Sequence, residues 1–290
     1  MNILVSGGTG FIGEKLVQLL ISKGHVVRVL QRKSKDLPFY WNLDKKEIDE
    51  KSFEDLDAII HLAGAPISKP WTKKYKKELY ESRIFTANFL YESCKKFSSF
   101  PKVFISASGV AFYGNDLTNK LLTEEDDFGI DFLSQLTVDW EKSANQFLDF
   151  GTRVSVLRTP IVLAEKGGIL DVLKPIFKLG LGANIGNGKN YMSWIHLDDL
   201  ISMYDFVLNN PVRGPVNAVA DEVVNQNEFN KSLAKSLNKP FFVPNIPASI
   251  IKFVLGERSI LVLCNGRISN EKIKKYGFTF RYNSLTDALK

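Results

Sequence analysis

The 290-residue chain has room for one large domain or two modest ones, each able to bury a substantial core. Its 44% hydrophobic and 24% charged residues are the balance of a globular protein, not of a disordered or fibrous one. The formal net charge of +6 lies partly in lysine runs such as Lys73-Lys74 and Lys76-Lys77. No basic stretch is interleaved with stacking aromatics, so no nucleic-acid partner is expected.

Met1-Asn2-Ile3-Leu4-Val5 reads as a strand that begins at once, with no targeting signal ahead of it. It enters Ser6-Gly7-Gly8-Thr9-Gly10-Phe11-Ile12-Gly13, after which Glu14-Lys15-Leu16-Val17-Gln18-Leu19-Leu20 takes helical spacing. Strand, glycine turn and helix form the context in which a glycine pattern marks a dinucleotide site. Both Gly8-x-Gly10-x-x-Gly13 and Gly7-x-x-Gly10-x-x-Gly13 fit it. Without a Cβ, the early glycines allow a tight turn and bring the backbone of Gly7, Thr9, Gly10, Phe11 and Ile12 close to a pyrophosphate. Gly13 lets the helix pack closely on the strand, and the helix N-terminus adds unpaired N–H groups and a positive dipole end. The plainer alternative, an ordinary strand-to-helix turn, has less support once the flanking elements are counted.

Lys23-Gly24-His25 closes the helix, and Val26-Val27-Arg28-Val29-Leu30 is the second strand. A site that prefers NAD places a carboxylate about 20 residues beyond the glycines. That window holds Gln31, Arg32 and Lys33, and no acid. Arg32, through its planar fork, and Lys33 suit a 2′-phosphate, so the expected cofactor is NADP(H). Plain solvent-facing charge is the alternative for both.

Residues 57–64 form a near-continuous apolar strand, as at the centre of a parallel sheet. Its end, Leu62-Ala63-Gly64, leaves space for the cofactor, and His61 reads as a core histidine. A long helix is expected from about Lys73 to Lys96, then a strand from 101 to 106 and the loop 107–114. Residues 115–130 read as a polar loop whose acids, Glu124-Glu125-Asp126-Asp127, are solvated, and no metal site is expected. A helix over 132–150 and a strand over 153–158 continue the alternation. It implies an α/β fold, a Rossmann-type doubly wound parallel sheet over residues 1–165, with 190–220 a candidate addition to its core.

Beyond Gly167-Gly168 the texture changes. Residues 180–188 are too glycine-rich for regular structure, and serve either as plain loop or as backbone that approaches a substrate. Residues 192–200 read as a short strand entering a helix, followed by a strand at 216–218, a helix at 225–237 and proline-punctuated helices. Residues 166–290 are therefore a smaller C-terminal α+β substrate lobe enclosing a cleft over the sheet, with a small C-terminal domain from about 240. Residues 246–256 are apolar but interrupted by Pro247 and Lys252, and no run of about 18 apolar residues exists to span a bilayer. No membrane partner is expected. Cys94 and Cys264 offer no metal spacing and no disulfide framework, which fits a reducing, cytoplasmic location.

Taken together, these stretches resemble the extended short-chain dehydrogenase/reductases, the superfamily of nucleotide-sugar epimerases and dehydratases. The pieces that carry the resemblance are residues 6–13, 57–64, 106–114 and 194–200. The chain is similar in particular to an atypical branch of epimerase family proteins, which shares Ser82-Arg83, Asp139-Trp140-Glu141 and the glycine-rich stretch before Ser193-Trp194-Ile195-His196. That branch also carries a small C-terminal domain of unknown function, echoed by Gly256-Glu257 and Tyr276-Gly277-Phe278-Thr279-Phe280. The resemblance implies a cofactor site that includes Ser106 and Arg83, and a homodimer with helices 73–96 and 132–150 as its faces. It further implies a Tyr-x-x-x-Lys pair for proton transfer. Here the sequence departs: aligning Glu141 with the acid that follows that motif puts Leu133 at the tyrosine and Thr137 at the lysine. Gly109 falls where the superfamily places its substrate-orienting hydroxyl, with Ser108 one residue earlier.

Ser108 and Tyr113 are the candidate catalytic side chains. Ser108 would orient a substrate oxygen, and Tyr113 either lies near the expected nicotinamide or is a packed aromatic. Tyr191 and His196 flank the expected substrate loop, where His196 either exchanges a proton near neutral pH or hydrogen-bonds backbone at a helix start. The leading expectation is an NADP(H)-binding, epimerase-like oxidoreductase that transfers hydride to a small polar or nucleotide-sugar-like molecule. The rival is a redox sensor or scaffold that binds NADP without turnover, favoured by the missing tyrosine and lysine.

Overall fold

A computed structural model describes residues 1–32, 38–114, 119–263 and 265–290. Its central sheet has six strands: β1 (Asn2–Ser6), β2 (Val26–Val29), β3 (Ala58–His61), β4 (Val103–Gly109), β5 (Arg153–Thr159) and β6 (Gly214–Asn217), in the order β6-β5-β4-β3-β1-β2. β1 pairs in parallel with both β2 and β3, and β3 in parallel with β4. Chain order thus reverses at β1, whose carboxyl end, beside that of β3, is the switch point where open α/β sheets bind ligands. The Rossmann-type expectation holds.

Apolar continuity explains the middle of the sheet. Ile3, Leu4 and Val5 of β1 and Ala58, Ile59 and Ile60 of β3 are all fully buried, as strands covered on both faces require. Helix α1 (Phe11–Ser22) buries Gly13, Leu16 and Leu20, spaced three and four apart, and stops at Lys23 before Gly24, whose φ of 82° takes the chain out of the helix. One core cluster joins Leu4, Ile59 and Phe104 to Leu90, Cys94 and Phe147 from the covering helices. Trp41–Asn42 and Glu47–Ile48 form a short antiparallel pair.

The single helix expected over 73–96 is instead three pieces: α2 (Lys73–Tyr80), a π-helical turn (Glu81–Phe85) and α3 (Thr86–Lys96). The wider turn carries Arg83 and Ile84 inward, and both are buried. The Thr86 hydroxyl lies 2.9 Å from the Ser82 carbonyl and 2.8 Å from that of Arg83, so the loosened backbone is served by a side chain. Such bulges recur at functional positions. Helix α4 (Phe132–Asn145) continues as a 3-10 turn, Gln146–Phe150.

The chain divides into two compact units: Met1–Ser108 with Leu136–Leu157 and Ile201–Val216, and Gly109–Gln135 with Arg158–Leu200 and Asn217–Lys290. The second is α+β. It holds short strand pairs, Ile161–Leu163 with Trp194–His196 and Tyr191–Met192 with Val224–Asn225. Helices α5 (Gly168–Lys178), α7 (Gln226–Ser236) and α8 (Ala248–Leu255) belong to it, while α6 (Leu197–Asn209) starts there and runs mostly through the first unit. A capping box between Asn225 and Glu228 starts α7. The unit's core gathers Leu170, Phe177, Trp194, Phe229 and Leu285. Among the described residues, no helix is long and apolar enough to cross a membrane.

Phe147 is fully buried, and its ring stacks on Phe104 with centroids 3.8 Å apart. Phe147→Ala should therefore cost about 3–5 kcal/mol of unfolding free energy, read by chemical denaturation. A loss below about 1 kcal/mol would mean this packing is not the sheet's anchor.

Candidate functional site

Backbone, not side chains, builds the turn after β1. Gly7 has φ 74°, and a Cβ there would lie 2.7 Å from the Leu62 carbonyl group and 2.8 Å from the Ala63 nitrogen. A Cβ on Gly13 would fall 2.2 Å from the Gly7 oxygen and 2.7 Å from the Gly8 Cα, and one on Gly8 would fall 2.8 Å from Val29 Cγ1. Three glycines therefore let turn, helix and neighbouring strands close on one another. The Gly10 N–H donates to the Gly7 carbonyl at 3.0 Å, and the Gly10 carbonyl accepts from Glu14 N–H at 2.9 Å. Gly10 is also the N-cap of α1 and has no side chain with which to cap it. The first-turn N–H groups of Phe11, Ile12 and Gly13 have no intrahelical acceptor, so they and the dipole end form a cradle for phosphate.

The neighbouring strand ends complete this cradle. Leu62, Ala63 and Gly64 follow β3 directly, and Gly64 lies against the Arg83 guanidinium, whose carbon would stand 3.1 Å from a Cβ there. Arg83 is 8% exposed, donates to the Ala65 and Leu79 carbonyls at 3.0 and 3.1 Å, and stacks over the Trp140 ring at 5.1 Å. Among the described residues no carboxylate pairs with it. Burial lowers its pKa to about 10, which leaves it charged near neutral pH. Ser82 Oγ accepts from Ala65 N–H at 2.8 Å. The π-helical turn thus ties the loop after β3 at two points, and places an uncompensated cation behind it. That is a field suited to an anionic ligand.

Past β2, Gln31 is held by backbone bonds, its N–H to Phe39 O at 3.1 Å and its carbonyl to Trp41 N–H at 2.9 Å. Arg32 beside it is exposed. Lys33 lies outside the described residues. Ser6, His61 and Ser106 share one rung across β1, β3 and β4, and all three are fully buried. Ser106 is thus enclosed in the sheet, its Oγ 3.4 Å from His61 Nδ1 and donating to the Ala107 carbonyl at 2.9 Å.

His61 is the core histidine its strand suggests. Its Nε2 is 2.8 Å from Thr86 Oγ1, its Nδ1 3.4 Å from Ser106 Oγ, and the Trp140 Nε1–H points at Nδ1 from 3.4 Å. Burial, and then the charge of Arg83, push its pKa down to about 3. Such a group is neutral in the folded protein and titrates near 6.5 when unfolded. Its contribution to stability is complete above pH 6.5 and falls away as pH drops toward 3. His61→Gln should flatten the loss of unfolding free energy between pH 7 and 5; an unchanged slope would show that His61 is not the titrating group.

The candidate catalytic side chains are enclosed. Ser108 is 4% exposed and donates to Glu141 Oε1 at 2.8 Å; Glu141, one helical turn beyond Thr137 on α4, is itself 8% exposed. The bond from Glu141 to a serine 33 positions away has no local signal in the sequence. Tyr113, in the second unit, takes the packed-aromatic role rather than that of a proton donor. It is 4% exposed, donates a hydrogen bond from its hydroxyl to Asn217 Oδ1 at 2.7 Å and accepts one from Arg158 Nη1 at 2.9 Å. Burial pushes its phenol up to about 12, away from acid–base work at neutral pH. Leu133 and Thr137 are both buried.

In the same unit, Tyr191 donates its N–H to Asn265 Oδ1 at 2.7 Å and lies under the Arg267 guanidinium at 5.4 Å. His196 Nδ1 accepts from Asp198 N–H at 3.2 Å, and the ring packs on Tyr282 with centroids 3.7 Å apart. The backbone-bonding alternative for His196 is the one seen. Cys94 is buried with its thiol pushed up to about 12, which makes it unreactive; Cys264 lies outside the described residues. Among the described residues no group of acids, cysteines and histidines could hold a metal.

Comparison with known proteins agrees with this geometry. Residues 3–131 match the NAD dependent epimerase/dehydratase family, and residues 246–290 match a domain of unknown function, DUF1731. An epimerase family protein of Staphylococcus aureus (strain MRSA252) is 35% identical over 99% of this chain and 97% of its own length. The crystal structure of human epimerase family protein SDR39U1 with NADPH superposes with a TM-score of 0.88 at 31% identity, over 100% of this chain and 98% of that one. A nucleoside-diphosphate sugar epimerase from Corynebacterium glutamicum has a TM-score of 0.80 at 28% identity, over 100% of this chain and 57% of that longer one. This chain belongs to the epimerase family proteins, an atypical branch of the extended short-chain dehydrogenase/reductases with a small C-terminal domain of unknown function.

Proposed function

We propose that this chain is an NADP(H)-dependent oxidoreductase that transfers hydride to a small polar or nucleotide-sugar-like molecule. The observation that carries the reading is the side-chain-free cradle at residues 7–13, which a Cβ at Gly7 or Gly13 would fill. The backbone of Gly7, Thr9, Gly10, Phe11, Ile12 and Gly13 would hold the pyrophosphate. Arg32, exposed beside Gln31, would pair with the 2′-phosphate, in line with the NADPH bound to the human relative. Leu62, Ala63 and Gly64 would leave room for the ribose, and Arg83 would set that loop and favour negative charge over it. When bound, the cofactor supplies or accepts a hydride at its nicotinamide. Ser108 spends its one O–H hydrogen bond on Glu141, which leaves its oxygen lone pairs to accept from a substrate hydroxyl and fits a role in orienting an alcohol.

A second reading is favoured by one set of facts. Leu133 and Thr137 stand buried where a tyrosine and a lysine would move the proton, and Tyr113 is locked by Arg158 and Asn217. On that reading the chain binds NADP(H) and reports its redox state, or scaffolds a partner, without turnover.

Calorimetric titration tests the cofactor assignment. Arg32→Asp should weaken NADPH binding by about ten- to a hundred-fold, the range a charge-assisted hydrogen bond commands, and leave NADH nearly unchanged. Equal losses for both would refute it. NADPH oxidation across carbonyl compounds and nucleotide sugars, lowered by Ser108→Ala, supports the enzyme; tight binding with no turnover on the whole panel supports the second reading.

A further inference from the structure

Two helices of the second unit turn apolar side chains to solvent. On α5, Val172, Ile176 and Leu179 recur at helical spacing and are 61%, 42% and 75% exposed, while Leu170 and Phe177 on its other side are buried in the core. The outward stripe is therefore not an unfinished core. Helix α8 buries none of its eight residues, and its Phe253 and Val254 are 90% and 66% exposed, with Phe242 just upstream at 75%.

The chain leaving α5 and the chain entering α8 run side by side. Phe177 stacks on Phe241 with centroids 6.2 Å apart and rings 4° from parallel. Ile246 N–H donates to Asn184 O, and Gly186 N–H to Ile246 O, each at 2.8 Å. Buried Asn184 donates from Nδ2 to Asn227 and Asn245 and accepts from Asn230. This amide knot fixes the glycine-rich loop against the segment that leads to α8.

Charge on this surface is predominantly positive. Residues 168–189 and 239–258 contain Lys174, Lys178, Lys189, Lys239, Lys252 and Arg258 against the two acids Asp171 and Glu257. All of these lysines except Lys174 are exposed. Projecting apolar side chains with a lysine rim are the features of a surface that rests in a lipid headgroup layer. We infer that this face docks on an anionic bilayer surface. Two further points favour that occupant. A symmetric contact with a second copy would set the same lysines against themselves. Phe253 stands out almost fully exposed, which suits a fluid interface better than a preformed protein pocket. The short, interrupted 246–256 segment excludes a span, but an interfacial helix needs none.

The test uses the full chain pelleted with vesicles of phosphatidylcholine alone or mixed with phosphatidylglycerol, at low salt. Binding is expected to the mixed vesicles only, and to fall as salt is added. Lys252→Gln and Lys178→Gln should each weaken it about five-fold, and Phe242→Ser with Phe253→Ser should abolish it. NADPH affinity should be unchanged in every variant, which certifies the fold independently of the lipid result. Failure to pellet with the mixed vesicles would overturn the proposal, as would equal binding to both. So would light scattering that shows a dimer dissociated by Phe253→Ser.

Discussion

Of the glycines in the first unit, the one with least room for a Cβ is Gly13, in the first turn of α1, backbone against backbone with Gly7 and Gly8 in the turn after β1. Any side chain at Gly13 would stand 2.2 Å from a carbonyl oxygen, and any at Gly7 would meet the chain leaving β3. The contact sets how closely α1 approaches the sheet, and so where its uncapped N-terminus points. It also places that N-terminus at the switch point between β1 and β3, beside the loop that Arg83 and Ser82 hold.

Local chemistry made this half of the molecule legible in sequence. Gly7-Gly8-x-Gly10-x-x-Gly13 between an apolar run and a helical pattern carries its own structural context, and the near-continuous apolar strands announce a parallel sheet. Counting along the chain also put Gln31 and Arg32 just past β2, where the structure has them. What stayed hidden depends on partners distant in sequence. Glu141 reaches Ser108, and Asn217 reaches Tyr113 across 104 positions. Neither has a periodic signature. The break in the 73–96 helix was hidden for another reason, since Ser82, Arg83 and Thr86 fit an ordinary helix until tertiary contacts draw Arg83 inward. Exposure on α8 is equally invisible to pattern, because Ile, Phe and Val in a helix suggest burial.

The same fold supports many chemistries, so the reaction must be argued from the site. Here the side-chain-free turn at residues 7–13 suits a dinucleotide, while alignment puts buried Leu133 and Thr137 at the positions of the usual proton-transfer pair. The hydroxyls that remain nearby in sequence are engaged: Ser108 by Glu141, Tyr113 by Asn217 and Arg158. A reaction that needs little acid–base help from α4, with Ser108 accepting a substrate hydroxyl, is consistent with that set. The second unit by itself holds a glycine-rich loop tied by asparagine side chains, and a basic, apolar face beside it.

Amide hydrogen exchange with and without NADPH tests the central claim most directly. The account predicts strong protection confined to residues 7–13, 31–32 and 62–65 on addition of the cofactor. Unchanged exchange across residues 7–13 at saturating NADPH would contradict it.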